Sequence, residues 1–427
     1  MFLNLISYPY KLYKLRKNQW QSPYELKKLQ VKKLKALIQH AYYKVDYYRK
    51  LFDRGGIKPE NIKDVQDIVK IPLTARKELQ TLPKKESIAK DANLSHCLKL
   101  WTSGSTGIPL EIFLSFREII IKSLFYRRMY TENGGKLNDR TIIITHPQHF
   151  ISKKWFEHLG LLQETYISIF DDIENQIKVI LEFNPQIIYS YASALKNLAT
   201  EIKNKEIKDI KPRIIFSTAD QMTKEDREFI GSVFQADVID YYATNECGVI
   251  AWECKEHLGY HINSDNVIVE FLKGDGTKAK GGEEGEIVIT SLNSYTMPFI
   301  RYKIGDTGVL SEEECPCGRT LPLIRSITGR SNDYFILPNG KKVYSFSLRL
   351  PLKDIPGISQ YQIIQEKKDK VRINLVKNGS FSSKAIFQIK ENYKRILGDN
   401  IEVKISFVEE IIGSRSGKFQ DIKSELQ

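Results

Sequence analysis

Between Glu111 and Ser217 the chain repeats one pattern, a short and almost wholly apolar run followed by a longer amphipathic one. Glu111–Leu114, Arg140–Thr145, Gln186–Tyr189 and Arg213–Ser217 read as strands, and Arg117–Asn133, Ile173–Phe183 and Ser193–Lys203 as helices. In the first helix Ile119, Ile120, Leu124 and Met129 share the inward face. Apolar strands that alternate with helices predict an α/β core whose sheet is largely parallel. In such a sheet ligands gather beyond the carboxyl ends of the strands. The polar residues at those ends therefore matter most.

Upstream, Pro23–Phe52 places Leu26, Leu29, Leu34, Leu37, Ile38, Ala41 and Tyr42 mostly three or four residues apart. That spacing predicts one helix with a buried face, capped by Ser22 with Pro23 at its first position and ended by Gly55-Gly56. Asn61–Leu82 reads as a helix, the break Ile71-Pro72-Leu73, and a second helix after Thr74. Downstream, strands dominate: Val238–Tyr241, Val267–Leu272, Gly285–Ser291 and Thr307–Leu310, with Lys273-Gly274-Asp275-Gly276 as a hairpin turn. Past Gly329 the pattern changes to a smaller α+β unit, with strands Tyr361–Gln365, Val371–Val376 and Ile401–Val408 around a helix Ser383–Leu397. The expected division is 1–329, its first 85 residues helical, and 330–427.

Charge separates two function classes. Residues 1–50 carry 12 Lys/Arg against Glu25 and Asp46, so most of the overall +13 sits there. A nucleic-acid binder would join a basic face to a reader module, and no zinc-finger, homeodomain or RRM signature is present. The basic segment reads as a solvated lysine-rich helix, with weak peripheral attraction to anionic lipid headgroups as the sharper alternative. No run reaches the ~18–20 apolar residues of a membrane span, the first ten residues lack the form of a signal peptide, and five cysteines suit a reduced, cytoplasmic protein.

Five polar clusters punctuate the chain. Thr102-Ser103-Gly104-Ser105-Thr106-Gly107 joins two apolar runs; glycine backbone and clustered hydroxyls suit polyphosphate oxygens, although alone the segment is equally a polar turn. It lacks the Lys of a Walker A loop. Asp240–Glu246 ends a buried strand, Met297–Asp306 ends another, Gly329-Arg330-Ser331-Asn332-Asp333 marks the expected domain junction, and Ser416-Gly417-Lys418-Phe419 sets a lysine near the C-terminus. In this order and at these distances they resemble the adenylate-forming (acyl-CoA synthetase-like) superfamily. Within it they resemble the phenylacetate–CoA ligase branch and its CapK-type proteins of capsular polysaccharide biosynthesis. The likeness spans essentially the whole chain, including Tyr47-Tyr48-Arg49 and Pro72-Leu73-Thr74.

The resemblance implies a large α/β AMP-binding domain with a small mobile α+β domain, and a reaction that turns a carboxylic acid into an acyl-adenylate. A carboxylate is a poor acyl donor, and AMP gives it a good leaving group. Charge then builds on the α-phosphate and the departing pyrophosphate, which calls for preorganised donors and a cation. By resemblance, Thr102, Ser103, Gly104, Ser105, Thr106 and Gly107 hold the β/γ-phosphates of ATP, and Thr244 contacts the α-phosphate. Glu246 holds Mg²⁺, while Tyr242, within Tyr241-Tyr242-Ala243, lies against adenine. Asp306 binds the ribose, and Lys418 approaches the α-phosphate and carboxylate. Arg330 and Asp333 sit at the pivot of the small domain. Two departures stand out: Leu110 occupies a position that is Lys in many members, and Asn245 one where Glu or Ser is common. The acyl acceptor stays open between coenzyme A, a carrier-protein pantetheine, and an amine or hydroxyl on a sugar. An adenylate-binding scaffold of a polysaccharide assembly complex, without turnover, is the alternative.

A second constellation has metal-ligand character. Cys254-x2-His257 and Cys315-Pro316-Cys317-Gly318 supply three thiols and an imidazole, the donor set of a closed structural Zn²⁺ site. Cys247 and His261 are competing ligands.

Overall fold

The computed structural model describes residues 2–101, 110–147, 150, 161–330, 334–340, 342–344, 348–352, 355–411 and 421–426. The chain divides into two compact units: the first comprises Met1–Ile304 and Gly308–Ser326, the second Gly305–Thr307 and Ile327–Gln427.

The first unit opens with helices α1 (Phe2–Asn18), α2 (Pro23–Lys44), α3 (Asp46–Arg54), α4 (Arg76–Thr81) and α5 (Lys84–Ser87). The hydroxyl of Ser22 accepts from the Glu25 N–H and caps α2, with Pro23 at its first turn. The single helix expected over Pro23–Phe52 is two, because Val45 is extended (φ −121°, ψ 111°) and serves as C-cap of α2 and N-cap of α3. The helix expected from Asn61 to Ile71 is two short 3₁₀ turns, Pro59–Asn61 and Val65–Lys70. Side-chain caps from Asp64 and Asp67 close the second turn tightly, and such local bonds compete with a continuing α-helix.

A hairpin of β1 (Leu98–Trp101) and β2 (Glu111–Leu114) precedes α6 (Phe116–Glu132). Then follow β3 (Arg140–Thr145), β4 (Gln163–Ser168), α7 (Ile173–Phe183), β5 (Ile187–Tyr191), α8 (Ala192–Asn204), β6 (Ile214–Thr218) and α9 (Lys224–Phe234). After α9 come β7 (Asp237–Thr244), β8 (Gly248–Glu253), β9 (Tyr260–Ile262), β10 (Val267–Leu272), β11 (Glu284–Ser291), β12 (Tyr302–Leu310) and β13 (Leu323–Arg330). Among the described residues eleven strands make one sheet, in the order β10-β11-β12-β13-β9-β8-β7-β6-β5-β3-β4.

The β4-β3-β5-β6-β7 stretch is parallel, as strand–helix alternation predicts, and antiparallel pairing begins where β8 returns along β7. One face of the parallel part is covered by α7, α8 and α9 through Ile177, Ile180, Leu195, Leu198, Ile230 and Phe234. The aromatic residues Phe125, Tyr130, Phe216 and Tyr241 share a second core with Met129 of α6.

Strands β12 and β13 lead into the second unit. There β14 (Tyr334–Ile336) pairs with β15 (Lys342–Tyr344), and β16 (Ile358–Lys367), β17 (Lys370–Lys377), β18 (Glu402–Phe407) and β19 (Ile422–Ser424) form a sheet in the order β18-β17-β16-β19. Helix α10 (Ser383–Leu397), capped by Ser382, buries Ala385, Ile389, Tyr393 and Leu397 in the core of this unit. The strand expected to end the chain is therefore followed by another, β19, which pairs parallel to β16.

Candidate active site and a thiol–imidazole cluster

The tight turn between β7 and β8 carries Thr244, Asn245, Glu246 and Cys247, and side chains hold four of its backbone polar groups. The Thr244 hydroxyl accepts from the Cys247 N–H at 3.2 Å. Three donors hold successive carbonyls: Lys122 Nζ that of Asn245 at 2.6 Å, Ser294 Oγ that of Glu246 at 3.4 Å, and Asn266 Nδ2 that of Cys247 at 3.1 Å. Gly248 closes the turn at φ +73°, a left-handed conformation that favours glycine. The Glu246 side chain is buried, and its Oε1 accepts from the Tyr302 hydroxyl at 3.3 Å. Among the described residues Oε2 accepts no hydrogen bond. A buried carboxylate with one oxygen engaged and one available suits a hard cation such as Mg²⁺.

Asn245 reaches further. Its Nδ2 donates to the carbonyl of Trp101 at 3.0 Å, the residue immediately before the Thr102–Gly107 segment. The carboxylate turn and the entrance to the hydroxyl-rich segment are thus joined by one amide. Thr102, Ser103, Gly104, Ser105, Thr106 and Gly107 themselves lie outside the described residues, as do Lys418, Ser331, Asn332 and Asp333. Arg330 ends β13.

Tyr241 and Tyr242 occupy the last part of β7, with Ala243 after a register shift in the pairing with β8. Tyr241 is buried edge-on against Tyr126 and Tyr189, at 5.8 and 6.3 Å between ring centroids. Burial holds its hydroxyl well above the usual phenol range. Tyr242 and Ala243 are half-buried. Asp306 is half-buried on β12 and belongs with the second unit.

Two structural anchors escaped the sequence reading. Glu118 accepts from Ser115 N–H and Oγ–H, capping α6, and from Tyr295 N–H, Thr296 N–H and Thr296 Oγ–H. One buried carboxylate thereby fixes the start of α6 to the loop after β11. Arg301, inside the Met297–Asp306 cluster, forms a buried bidentate pair with Glu270 and donates to the carbonyls of Val69 and Ile71. Tyr48 adds bonds to Pro298 O and Ile300 N–H. A sequence signal existed for the first: Ser115-x-x-Glu118 is a capping box. Arg301 had none, because its partners lie far away along the chain.

The sulfur-rich constellation forms at the opposite end of β8. Cys254, His261, Cys315 and Cys317 present their ligand atoms within 4.8 Å of one another. Cys254 and Cys315 Sγ are 3.6 Å apart, and Cys317 Sγ lies 3.4 Å from His261 Nε2. With metal–sulfur and metal–nitrogen lengths of about 2.3 and 2.0 Å, tetrahedral edges of about 3.5–3.8 Å follow, so the donors are already spaced for Zn²⁺. Among the described residues His261 Nδ1 is buried without a hydrogen-bond partner. Burial pushes the Cys254 thiol up to about 12. It also opposes ionisation of Cys317, but the Arg319 N–H and guanidinium outweigh that and hold this thiol below its ordinary value. The fit to zinc is good in donor type, number and spacing.

His257 is corrected as the expected fourth donor. It sits at φ +51° in the turn after β8, with Nε2 3.0 Å from Asp237 Oδ1 and Nδ1 3.1 Å from Arg227, whose guanidinium also grips Glu253. Asp237 and then Glu253 raise its pKa to about 9. His261 instead stands on β9 opposite Trp252 and Leu323, so strand register carries its ring to the cluster. Cys247 is remote from it too, buried in the carboxylate turn, where burial pushes its thiol up to about 12.

Comparison with known proteins identifies the family. Residues 30–296 match the family model described as AMP-binding enzyme. The chain belongs to the AMP-binding enzyme family and is an adenylate-forming ligase. Residues 335–425 match the model described as CapK C-terminal domain. The phenylacetate-coenzyme A ligase of Thermus thermophilus is 25% identical over 366 residues, covering 81% of this chain and 79% of that one. Protein CapK of Staphylococcus aureus is 22% identical, covering 92% and 88%. Among solved structures, a 2-hydroxyisobutyryl-CoA ligase in the postadenylation state superposes with a TM-score of 0.78 at 17% identity, over 96% of this chain and 91% of that one. At that identity the superposition speaks to fold alone. No helix among the described residues is long and apolar enough to cross a membrane.

Proposed function

We propose that the protein joins a small carboxylic acid to AMP, with ATP as donor and pyrophosphate as leaving group, and then passes the acyl group to the thiol of coenzyme A, releasing AMP. The observation that carries the reading is the β7–β8 turn: a buried carboxylate at the end of the parallel strands, tied to the residue that precedes the hydroxyl-rich segment. In this reading Glu246 holds Mg²⁺ and Thr244 lies against the α-phosphate. Residues 102–107 cradle the outer phosphates, Tyr242 lies against adenine and Asp306 binds the ribose. Mg²⁺ and Lys418 balance the charge that develops on phosphorus. Residues 1–329 form the AMP-binding domain and 330–427 its lid, pivoting near Arg330 and Asp333. The cluster of Cys254, His261, Cys315 and Cys317 holds a structural Zn²⁺. Coenzyme A as acceptor is supported by the names of the ligases this chain resembles. The CapK likeness supports surface polysaccharide biosynthesis as the setting. The test is AMP release from ATP and Mg²⁺ across a panel of carboxylic acids, with and without coenzyme A. The reading requires AMP with at least one acid and faster release when the thiol is present. AMP formation with no acid would leave the scaffold alternative.

A further inference from the structure

We propose that Lys122 is a positioning residue for the carboxylate turn, holding the Glu246 peptide in place from helix α6. Lys122 stands one helical turn after Glu118, the carboxylate that fixes the start of α6. Its stem runs across Gly248 so closely that a Cβ there would stand 3.1 Å from Lys122 Cγ. The ammonium then donates to Asn245 O at 2.6 Å. That carbonyl belongs to the peptide unit whose nitrogen is Glu246 N, so fixing it fixes the direction in which Glu246 leaves the turn. The amide side chain of the same Asn245 holds Trp101 O. Lys122 is therefore the helix end of a two-link chain, from α6 to the turn and from the turn to the end of β1.

The geometry separates this role from an ordinary surface lysine. Another cation of α6 is used structurally: Arg128 is fully buried against Asp265 and Asn263. Lys122 makes no ion pair among the described residues, and its bond is to a backbone carbonyl beside a carboxylate. An ammonium donates to a carbonyl more strongly than a neutral group does, and it places positive charge next to Glu246 without taking the carboxylate oxygens. Those oxygens stay with Tyr302 and whatever Glu246 binds.

The test uses the full-length Lys122→Met variant and two readouts. In the ligand-free protein, amide hydrogen exchange at 245–248 should quicken on the order of tenfold or more, while exchange in the middle of β7 and β8 stays at the parent rate. In adenylation assays the Mg²⁺ concentration at half-maximal rate should rise about tenfold, with the KM of the acid nearly unchanged, and Lys122→Arg should recover most of both. The second readout rests on the adenylation reading; the first does not. If the parent makes no AMP, that reading falls while the exchange arm still decides the role of Lys122. Parent-like exchange at 245–248 overturns the proposal. So does a uniform rise throughout β7 and β8, which would mean bulk packing. Should the Met variant fail to fold, Lys122→Gln carries the same comparison.

Discussion

The two ends of β8 make opposite use of similar polar material. At Gly248 the strand leaves a turn whose carbonyls are individually held while, among the described residues, one oxygen of its carboxylate accepts no hydrogen bond. At Glu253 it enters a cluster in which three thiols and an imidazole converge within 4.8 Å of one another. Six residues of strand separate them, about 20 Å. The first end is fixed from outside and open at its centre, which suits a ligand that comes and goes. The second is closed, as a metal that stays requires. Its surroundings are structural as well: Arg319 bonds Gln19 and Glu132, and Thr320 bonds the backbone of Gln19 and Gln21, so the cluster loop is braced by the segment between α1 and α2.

The largest contrast is expected from the open end. Glu246→Gln should slow adenylation on the order of 10²–10³-fold or more, since a neutral amide binds Mg²⁺ poorly, with the melting temperature nearly unchanged because the turn's own bonds are to backbone atoms. Separate rate and thermal-melt measurements check this. A variant that melts early and adenylates normally would reverse the roles of the two ends.

Substitutions at the closed end should do the converse. Metal analysis should return close to one Zn²⁺ per chain. Cys317→Ser and His261→Ala should lose it and lower the melting temperature by about 10 °C or more, because a structural zinc contributes folding energy directly. His257→Ala should keep the metal, which distinguishes the strand residue from the turn residue. Retention of zinc by His261→Ala together with its loss from His257→Ala would overturn the ligand assignment.

A smaller effect belongs to Asp240, midway along β7. Burial, and then the charge of Glu253, pushes its carboxyl up to about 7, while Tyr260 donates to Oδ2. Its folded pKa is above the unfolded one, so between about pH 4 and 7 the folded chain holds a proton that the unfolded chain has released. This group's contribution to stability therefore falls as pH rises through that window. Asp240→Asn should flatten the pH dependence of the melting temperature there, raising it by several degrees near pH 7 relative to the parent. An unchanged slope would remove Asp240 from the account.

Local signals made much of this readable in sequence. The strand–helix alternation of 111–217, the Ser22-Pro23 cap and the α10 periodicity each rest on near neighbours, and each element forms close to its expected bounds. The misses depend on partners remote in sequence. Strand β9 is only three residues long, and it exists because β8 and, remote in sequence, β13 pair with it. His257 fitted a short Cys-x2-His spacing, but strand register puts His261, not His257, beside Cys317. Lys122, a lysine in a helix already rich in charge, acquires its role only because Gly248 lets it cross to Asn245.

The most direct test of the central claim is acid-dependent ATP–pyrophosphate exchange by the whole 427-residue chain purified with Zn²⁺ in the buffer. The account predicts Mg²⁺-dependent exchange with at least one small carboxylic acid, abolished in Glu246→Gln and retained in His257→Ala. Absence of exchange with every acid in a panel, or equal exchange by the parent and Glu246→Gln, would contradict it.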